Sequence, residues 1–296
     1  MGQKRSLHIG LNFVDPDKYG GWDGELSGCI NDANAMEQIA AGRGFATTKL
    51  IDGQATAEAV HQQLQAAAAE LGDGDFFFIT YSGHGGQVPD TDGTVDEIDG
   101  YDETWCLYDT QLLDDTLYGA FRTFKPGVRI FVMSDSCHSE TVIRAPLMEH
   151  RQRRAFEDRH PGAQSKRAPL KATTDEYEAH VDDYKAQKAW WAGRGTPGTN
   201  ADADVVLISG CQDLQTSMDG PGNGAFTFAF LQVWSRHGGS YPGSYLDLQR
   251  DVRNEVNNMD QLPCIFYYGK TVANMLLQMP LTDQKANVSG ELAVGG

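Results

Sequence analysis

Four short apolar runs constrain the fold most: "SLHIGLNFV" (6–14), "DFFFITYSG" (75–83), "VRIFVMSDS" (128–136) and "DVVLISGCQ" (204–212). They are rich in Val, Ile and Phe, and most end in small or polar residues, the pattern of strands buried on both faces of a mostly parallel sheet. Helical patterns separate or follow them. These are "NDANAMEQIAAGRG" (31–44), "ATAEAVHQQLQAAAAELG" (55–72), "DDTLYGAFRTF" (114–124), "GAFTFAFLQVWSRHGG" (224–239) and "SYLDLQRDVRNEVNNM" (244–259). "CIFYYG" (264–269) reads as an edge strand. Strands alternating with helices predict an α/β layer with helices on both faces, and such sheets carry their sites in the loops at the strand ends.

A chain of 296 residues with 40% apolar and 22% charged residues has the composition of a globular protein. We expect one domain over 1–280, interrupted at about 145–200 by an exposed basic insertion that closes with the linker-like "GRGTPGTNADAD", and a flexible tail over 281–296. Five cysteines, odd in number and without a CxxC pair, argue against a disulfide framework and a zinc site. No signal-peptide core or membrane-length apolar run is present, so a cytoplasmic monomer without a membrane partner is expected. The net charge of -17 argues against nucleic acid as a partner and suits a basic substrate. That charge is uneven: Asp90 to Asp115 has no Lys or Arg, whereas Arg144 to Lys171 is basic.

"SDSCHSE" (134–140) sets Cys137 beside His138. Successive side chains of a strand point to opposite faces, so if the strand runs through both they diverge, and adjacency argues against a dyad. A base must then come from elsewhere. "YSGHGGQ" (81–87) offers His84 between glycines at the end of another predicted strand, and in a parallel sheet both strand ends open on one edge. Each residue alone reads more readily as structural; together, at matching strand ends, they favour catalysis.

"SGHGGQ", with Cys137 of "SDSCHS" 53 positions after His84, resembles the His and Cys boxes of the caspase-like clan, specifically metacaspases and their bacterial relatives, the orthocaspases. "LSGCINDANAM" (26–36), "DEIDGYDE" (96–103) and "ISGCQDLQTSMD" (208–219) are similar to further metacaspase segments in the same order. The resemblance implies a caspase-like three-layer α/β/α sandwich and a cysteine endopeptidase of family C14. It makes Cys137 the nucleophile and His84 the group that manages the proton, with the N–H groups of Gly85 and Cys137 as oxyanion donors. No third triad member is implied.

Metacaspases cut after Arg or Lys, so the implied partners are protein or peptide substrates with a basic residue before the scissile bond. Asp32 and Asp135 match the acidic residues of their specificity pocket, with Cys29 and Ser82 lining it. On a strand Asp135 would share the face of Cys137, two positions on. The bland reading makes Asp32 a helix N-cap and Asp135 a loop solvator. An enzyme with that specificity carries its own substrate in the insertion, whose self-cleavage candidates are Arg144, Arg151, Arg153, Arg154, Arg159, Lys166, Arg167 and Lys171. The competing reading is a solvated loop whose charge offsets an acidic body.

The resemblance also raises a Ca²⁺ site, for which Asp99 or Asp102 with Asp114 and Asp115 match the acidic ligands. The fourth family position is Arg144 here, a cation where a carboxylate is required, and "CHSE" replaces the usual "CHSG". A Cys-based phosphatase loop needs an Arg after five residues, whereas Arg144 comes after six without an intervening glycine. An inactive caspase-fold binding or regulatory protein is the alternative reading; such proteins usually have lost the Cys or His, and this chain keeps both. A protease switched on by an upstream partner, in bacterial stress or antiviral defence, stays open at this stage.

Overall fold

The computed structural model describes residues 2–89, 101–136, 162, 164–192, 203–211, 218–220, 222–256 and 261–286, without the side chains of 187–192. The elements in chain order begin with β1 (Lys4–Gly10), α1 (Cys29–Gly42), β2 (Ala46–Ile51), α2 (Ala57–Glu70) and β3 (Phe76–Ser82). They continue with β4 (Gly85–Pro89), β5 (Tyr101–Cys106), β6 (Gln111–Leu113), α3 (Asp114–Phe121), β7 (Arg129–Asp135) and β8 (Gln164–Ser165). After α4 (Leu170–Ala179) and α5 (Val181–Ala192) come β9 (Asp204–Ser209), β10 (Met218–Asp219), α6 (Ala225–Arg236), α7 (Tyr245–Val256), β11 (Cys264–Tyr268) and α8 (Val272–Leu276).

The main sheet has the order β11-β9-β7-β3-β1-β2, parallel except for β11. Alternation along β3 shows why its apolar run is continuous. Phe77 and Ile79 pack with Val60 and Leu64 of α2 and Phe121 of α3, while Phe76 and Phe78 pack with Met36 of α1, Phe230 of α6 and Val252 of α7. Both faces are dry, so the sheet is the middle layer of an α/β/α sandwich, as expected. No helix among the described residues is long and apolar enough to cross a membrane.

Two features were not predicted. β2 ("ATTKLI") is a half-exposed edge strand whose threonines break the two-sided apolar signal. A second sheet, β4-β5-β6, is antiparallel and runs through part of the acidic stretch. Its alternation places Asp102, Thr104 and Cys106 inward, so carboxylate content concealed a strand.

Within the insertion expected over 145–200 as exposed, the described part includes buried residues, among them Lys166, Ala168, Thr173 and Tyr184. Glu176 of α4 is fully buried and accepts from Thr110 Oγ1 at 2.7 Å and Gln111 Nε2 at 2.8 Å, clamping α4 onto the small sheet. Tyr184 of α5 donates to the same carboxylate. Gly86 lets the helix approach, because a Cβ there would meet Thr173 and Gln111. The expected tail is also held at its start: Leu281 is buried, and its N–H donates to Tyr245 Oη at 3.2 Å.

Candidate active site

In the β3–β7 pairing Ser82 lies opposite Asp135. His84 follows Ser82 by two residues, and Cys137 follows Asp135 by two. The sheet therefore brings the two strand ends side by side on one edge, as the strand pattern predicted. Cys137 and His138 lie outside the described residues, as do Asp99, Arg144, Arg151, Arg153, Arg154 and Arg159.

The turn that carries His84 is held by Tyr81, whose single O–H lies between two acceptors, the His84 carbonyl at 2.7 Å and Cys106 O at 2.9 Å. Tyr81 stacks on Trp105 with centroids 4.5 Å apart, and Trp105 Nε1 donates to Ser134 Oγ of β7 at 3.0 Å. The imidazole lies edge-on to Trp22 at 4.7 Å, and its Nε2 sits 3.1 Å from Gly24 O. A carbonyl only accepts, so Nε2 carries the proton and Nδ1 keeps its lone pair. Nδ1 is buried and has no hydrogen-bond partner among the described residues. Burial, the largest cause, and the Lys166 charge lower the imidazole's pKa to about 4 against the opposing Gly24 bond, so the ring is neutral at pH 7. A neutral ring with one tethered N–H and one free lone pair is equipped to take a proton from a thiol. Trp22 and Gly24 orient that ring, and sequence reasoning missed both. The available signal for Gly24 was weak, since its positive φ of 60° is one of several in the chain.

A few residues away lies a closed acidic pocket with a cation in it. Lys166, fully buried, places Nζ 2.9 Å from Ser82 Oγ, 3.2 Å from Asp32 Oδ2, 3.2 Å from Asp135 Oδ2 and 3.9 Å from Asp219 Oδ1. The ammonium donates to Ser82 and Asp32 and forms ion pairs with Asp135 and Asp219. Burial opposes the charge, but Asp135, Cys29, Asp32 and Asp219 together outweigh it and hold the lysine well above its usual range. Cys29 itself is pushed up by burial and is a neutral thiol, so carboxylates carry that effect at neutral pH. Burial also raises Asp32, to about 6, against the pull of Lys166.

The pocket floor is made of two helix starts. Asp32 is not an N-cap of its own helix, which starts after Gly28; its carboxylate receives Gly224 N at 3.0 Å, Asn223 Nδ2 at 2.8 Å and Ser82 Oγ at 2.6 Å. Asp135 receives Thr227 N at 3.1 Å and Thr227 Oγ1 at 2.8 Å from the first turn of α6. A helix N-terminus favours anions, which explains how two carboxylates are kept dry here. Gly224 must be glycine-sized, because a Cβ there would collide with the Asp135 carboxylate and the Lys166 ammonium.

The main chain around Lys166 is equally constrained. Gln164 and Ser165 pair antiparallel with Asp219 and Met218. Lys166 O accepts the Gly85 N–H at 2.9 Å, and Ala168 N donates to Gly85 O at 2.8 Å. An extended segment thus adds to the walls of the cleft by strand pairing, with its basic side chain in the pocket. Arg167 is half-buried beside Gly85, while Lys171 is exposed and paired with Asp175.

The expected Ca²⁺ ligands Asp102, Asp114 and Asp115 lie elsewhere, at β5 and the start of α3. Burial and the charges of Asp115, Glu103 and Asp102 hold Asp114 well above the carboxylate range, a crowding that a cation would relieve. Metal-ligand distances are a stricter test. Among the described residues the one group of three candidate donors converging within 4.8 Å is Cys29, Asp32 and Asp219, the pocket that already holds the lysine. The charge of the expected calcium cluster suits a metal; its described members Asp102, Asp114 and Asp115 do not converge within that distance, and Asp99 lies outside the described residues.

A family model described as Caspase domain matches residues 12–272. The chain is 31% identical to metacaspase-1 of Candida albicans, covering 85% of this chain and 62% of that protein. It is 32% identical to metacaspase-1 of Mycosarcoma maydis, covering 85% of this chain and 67% of the other. The chain thus spans about three fifths to two thirds of the length of these relatives. A crystal structure of a protein from Geobacter sulfurreducens superposes with a TM-score of 0.80 at 41% identity, over 95% of this chain and 98% of that one.

Proposed function

We propose that this chain, which belongs to the caspase-domain family and resembles its metacaspase members, is a cysteine endopeptidase that cuts peptide bonds after Lys or Arg. The observation that carries this reading is Lys166, whose ammonium fills the acidic pocket while its carbonyl rests on the Gly85 N–H. It is the placement expected of a residue before a scissile bond.

In this reading His84 Nδ1 takes the Cys137 thiol proton and the sulfur attacks the carbonyl carbon. The carbonyl electron pair moves to oxygen, where the N–H groups of Gly85 and Cys137 receive the charge. The C–N bond then breaks, and the His84 proton passes to the leaving amine. Water, deprotonated by His84, releases the acyl group from sulfur as a carboxylate.

The same contacts select the self-processing bond. Among the three described candidates, Lys166, Arg167 and Lys171, it is Lys166 that occupies the pocket, so the reading assigns cleavage to Lys166–Arg167. Until cut, the segment occupies the place of any outside substrate. After cleavage Arg167 onward stays attached through Ala168 and Glu176, whereas the new Lys166 terminus is held by the pocket and a two-residue strand. Intact mass after incubation is therefore expected to give fragments ending at Lys166 and beginning at Arg167. Lys166→Ala should lose that pair and hydrolyse added Lys peptides without a lag. An unchanged fragment pattern in the variant would reject this bond.

No step is routed through a metal, because Asp102, Asp114 and Asp115 do not converge within ligand range. Peptide hydrolysis is expected to persist in EGTA; activity that appears only on adding Ca²⁺ would contradict this.

A further inference from the structure

We propose that Asp219 is a third specificity-determining carboxylate of this pocket and that it serves arginine more than lysine. The inference rests on the basic-residue specificity proposed above. Asp219 was absent from the expected pocket residues, yet it is buried and both its oxygens are directed by neighbours. Oδ2 receives Ser27 N at 2.6 Å, Gly28 N at 2.9 Å and Ser27 Oγ at 3.1 Å, which fixes the plane of the carboxylate. Oδ1 is thereby turned toward the pocket, 3.8 Å from Cys29 Sγ and 3.9 Å from Lys166 Nζ. Its main chain also forms the pocket wall, pairing with Gln164 two residues before the lysine.

Acceptor counting separates the two substrates. Ser82 and Asp32 accept hydrogen bonds from the ammonium and Asp135 forms an ion pair with it at 3.2 Å, whereas Asp219 stands further off at 3.9 Å. For lysine it contributes charge from 3.9 Å without a hydrogen bond. A guanidinium is planar, carries five N–H groups and spreads them further from the stem. Its outer nitrogens reach further than Nζ does, and Asp219 Oδ1, 3.9 Å from Nζ, is an acceptor within that added reach.

The test compares fluorogenic peptides ending in Lys or Arg, with the enzyme in the Lys166→Ala background so that the pocket is free. Asp219→Asn keeps an oxygen for Ser27 and Gly28 while removing the charge. It is expected to lower kcat/KM on the Arg peptide about 10- to 100-fold, the range for a hydrogen bond to a charged group, and on the Lys peptide less than about 3-fold. Asp219→Glu keeps the charge but pushes it toward the ammonium position, and should shift preference to Lys as well. Equal losses on both peptides would mean that Asp219 only tethers the 27–28 turn and would overturn the proposal, as would no loss on Arg. Wild-type and Lys166→Ala enzymes that cleave neither peptide would overturn the parent reading and this one with it.

Discussion

Cys137→Ala is expected to abolish peptide hydrolysis and self-cleavage together, by on the order of 10³-fold or more, because covalent catalysis has no substitute once the nucleophile is gone. The informative control is its neighbour. His138→Ala should retain most activity, while His84→Ala should approach the Cys137→Ala level. The difference follows from the frame: Ser82 and Asp135 are paired across β3 and β7, and His84 stands two residues beyond the first of them. His84 is also the imidazole with a tethered Nε2 and an Nδ1 that has no partner among the described residues. A fluorogenic panel with Lys, Arg or Asp before the scissile bond, run on these variants, gives the readout. Loss of activity in His138→Ala with retention in His84→Ala would reverse the assignment, and hydrolysis after Asp would overturn the pocket.

Asp135→Asn is expected to damage both stability and turnover. The Lys166 ammonium is fully buried, and Asp135 and Asp32 lie equally close to it at 3.2 Å. Removing one partner of a buried ion network leaves charge uncompensated, at a cost of about 3–5 kcal/mol. The same loss should reduce kcat/KM on Lys and Arg peptides on the order of 100-fold, since the substrate cation meets the same deficit. Urea denaturation of a Cys137→Ala background, which keeps the loop intact, measures the first effect. Adding Lys166→Met should recover much of the lost stability, because it removes the stranded ammonium and leaves a similar volume. A variant as stable as its parent, with unchanged Lys turnover, would show that Asp135 is a bystander.

The order of the boxes along the chain made the strand ends legible. Continuous apolar runs such as "DFFFITYSG" require two dry faces, and β3 packs Phe76 and Phe78 on one side and Phe77 and Ile79 on the other. β5 was hidden because its inward residues are Asp102, Thr104 and Cys106, so polarity masked a strand that small-sheet pairing stabilises. Asp32 and Asp135 could be named from motif resemblance, but Asp219 could not. Its contribution depends on Ser27 and Gly28, about 190 residues earlier in the chain, and on the side of the carboxylate that they leave free.

The basic segment shows the division most clearly. Sequence alone determined the alternating α/β layering, the two strand ends that carry His84 and Cys137, and a basic stretch in an acidic protein, because each is a matter of local pattern and composition. It could not choose among eight Lys and Arg residues, all of them able to meet a carboxylate. Among the described candidates, tertiary structure places Lys166 in the pocket: the packing of α4 and α5 on the small sheet, the pairing of β8 with β10, and the Gly85 bridge deliver its ammonium to Asp32 and Asp135. Burial then turned an ordinary surface charge into a fixed ion, because a desolvated lysine persists only where carboxylates surround it.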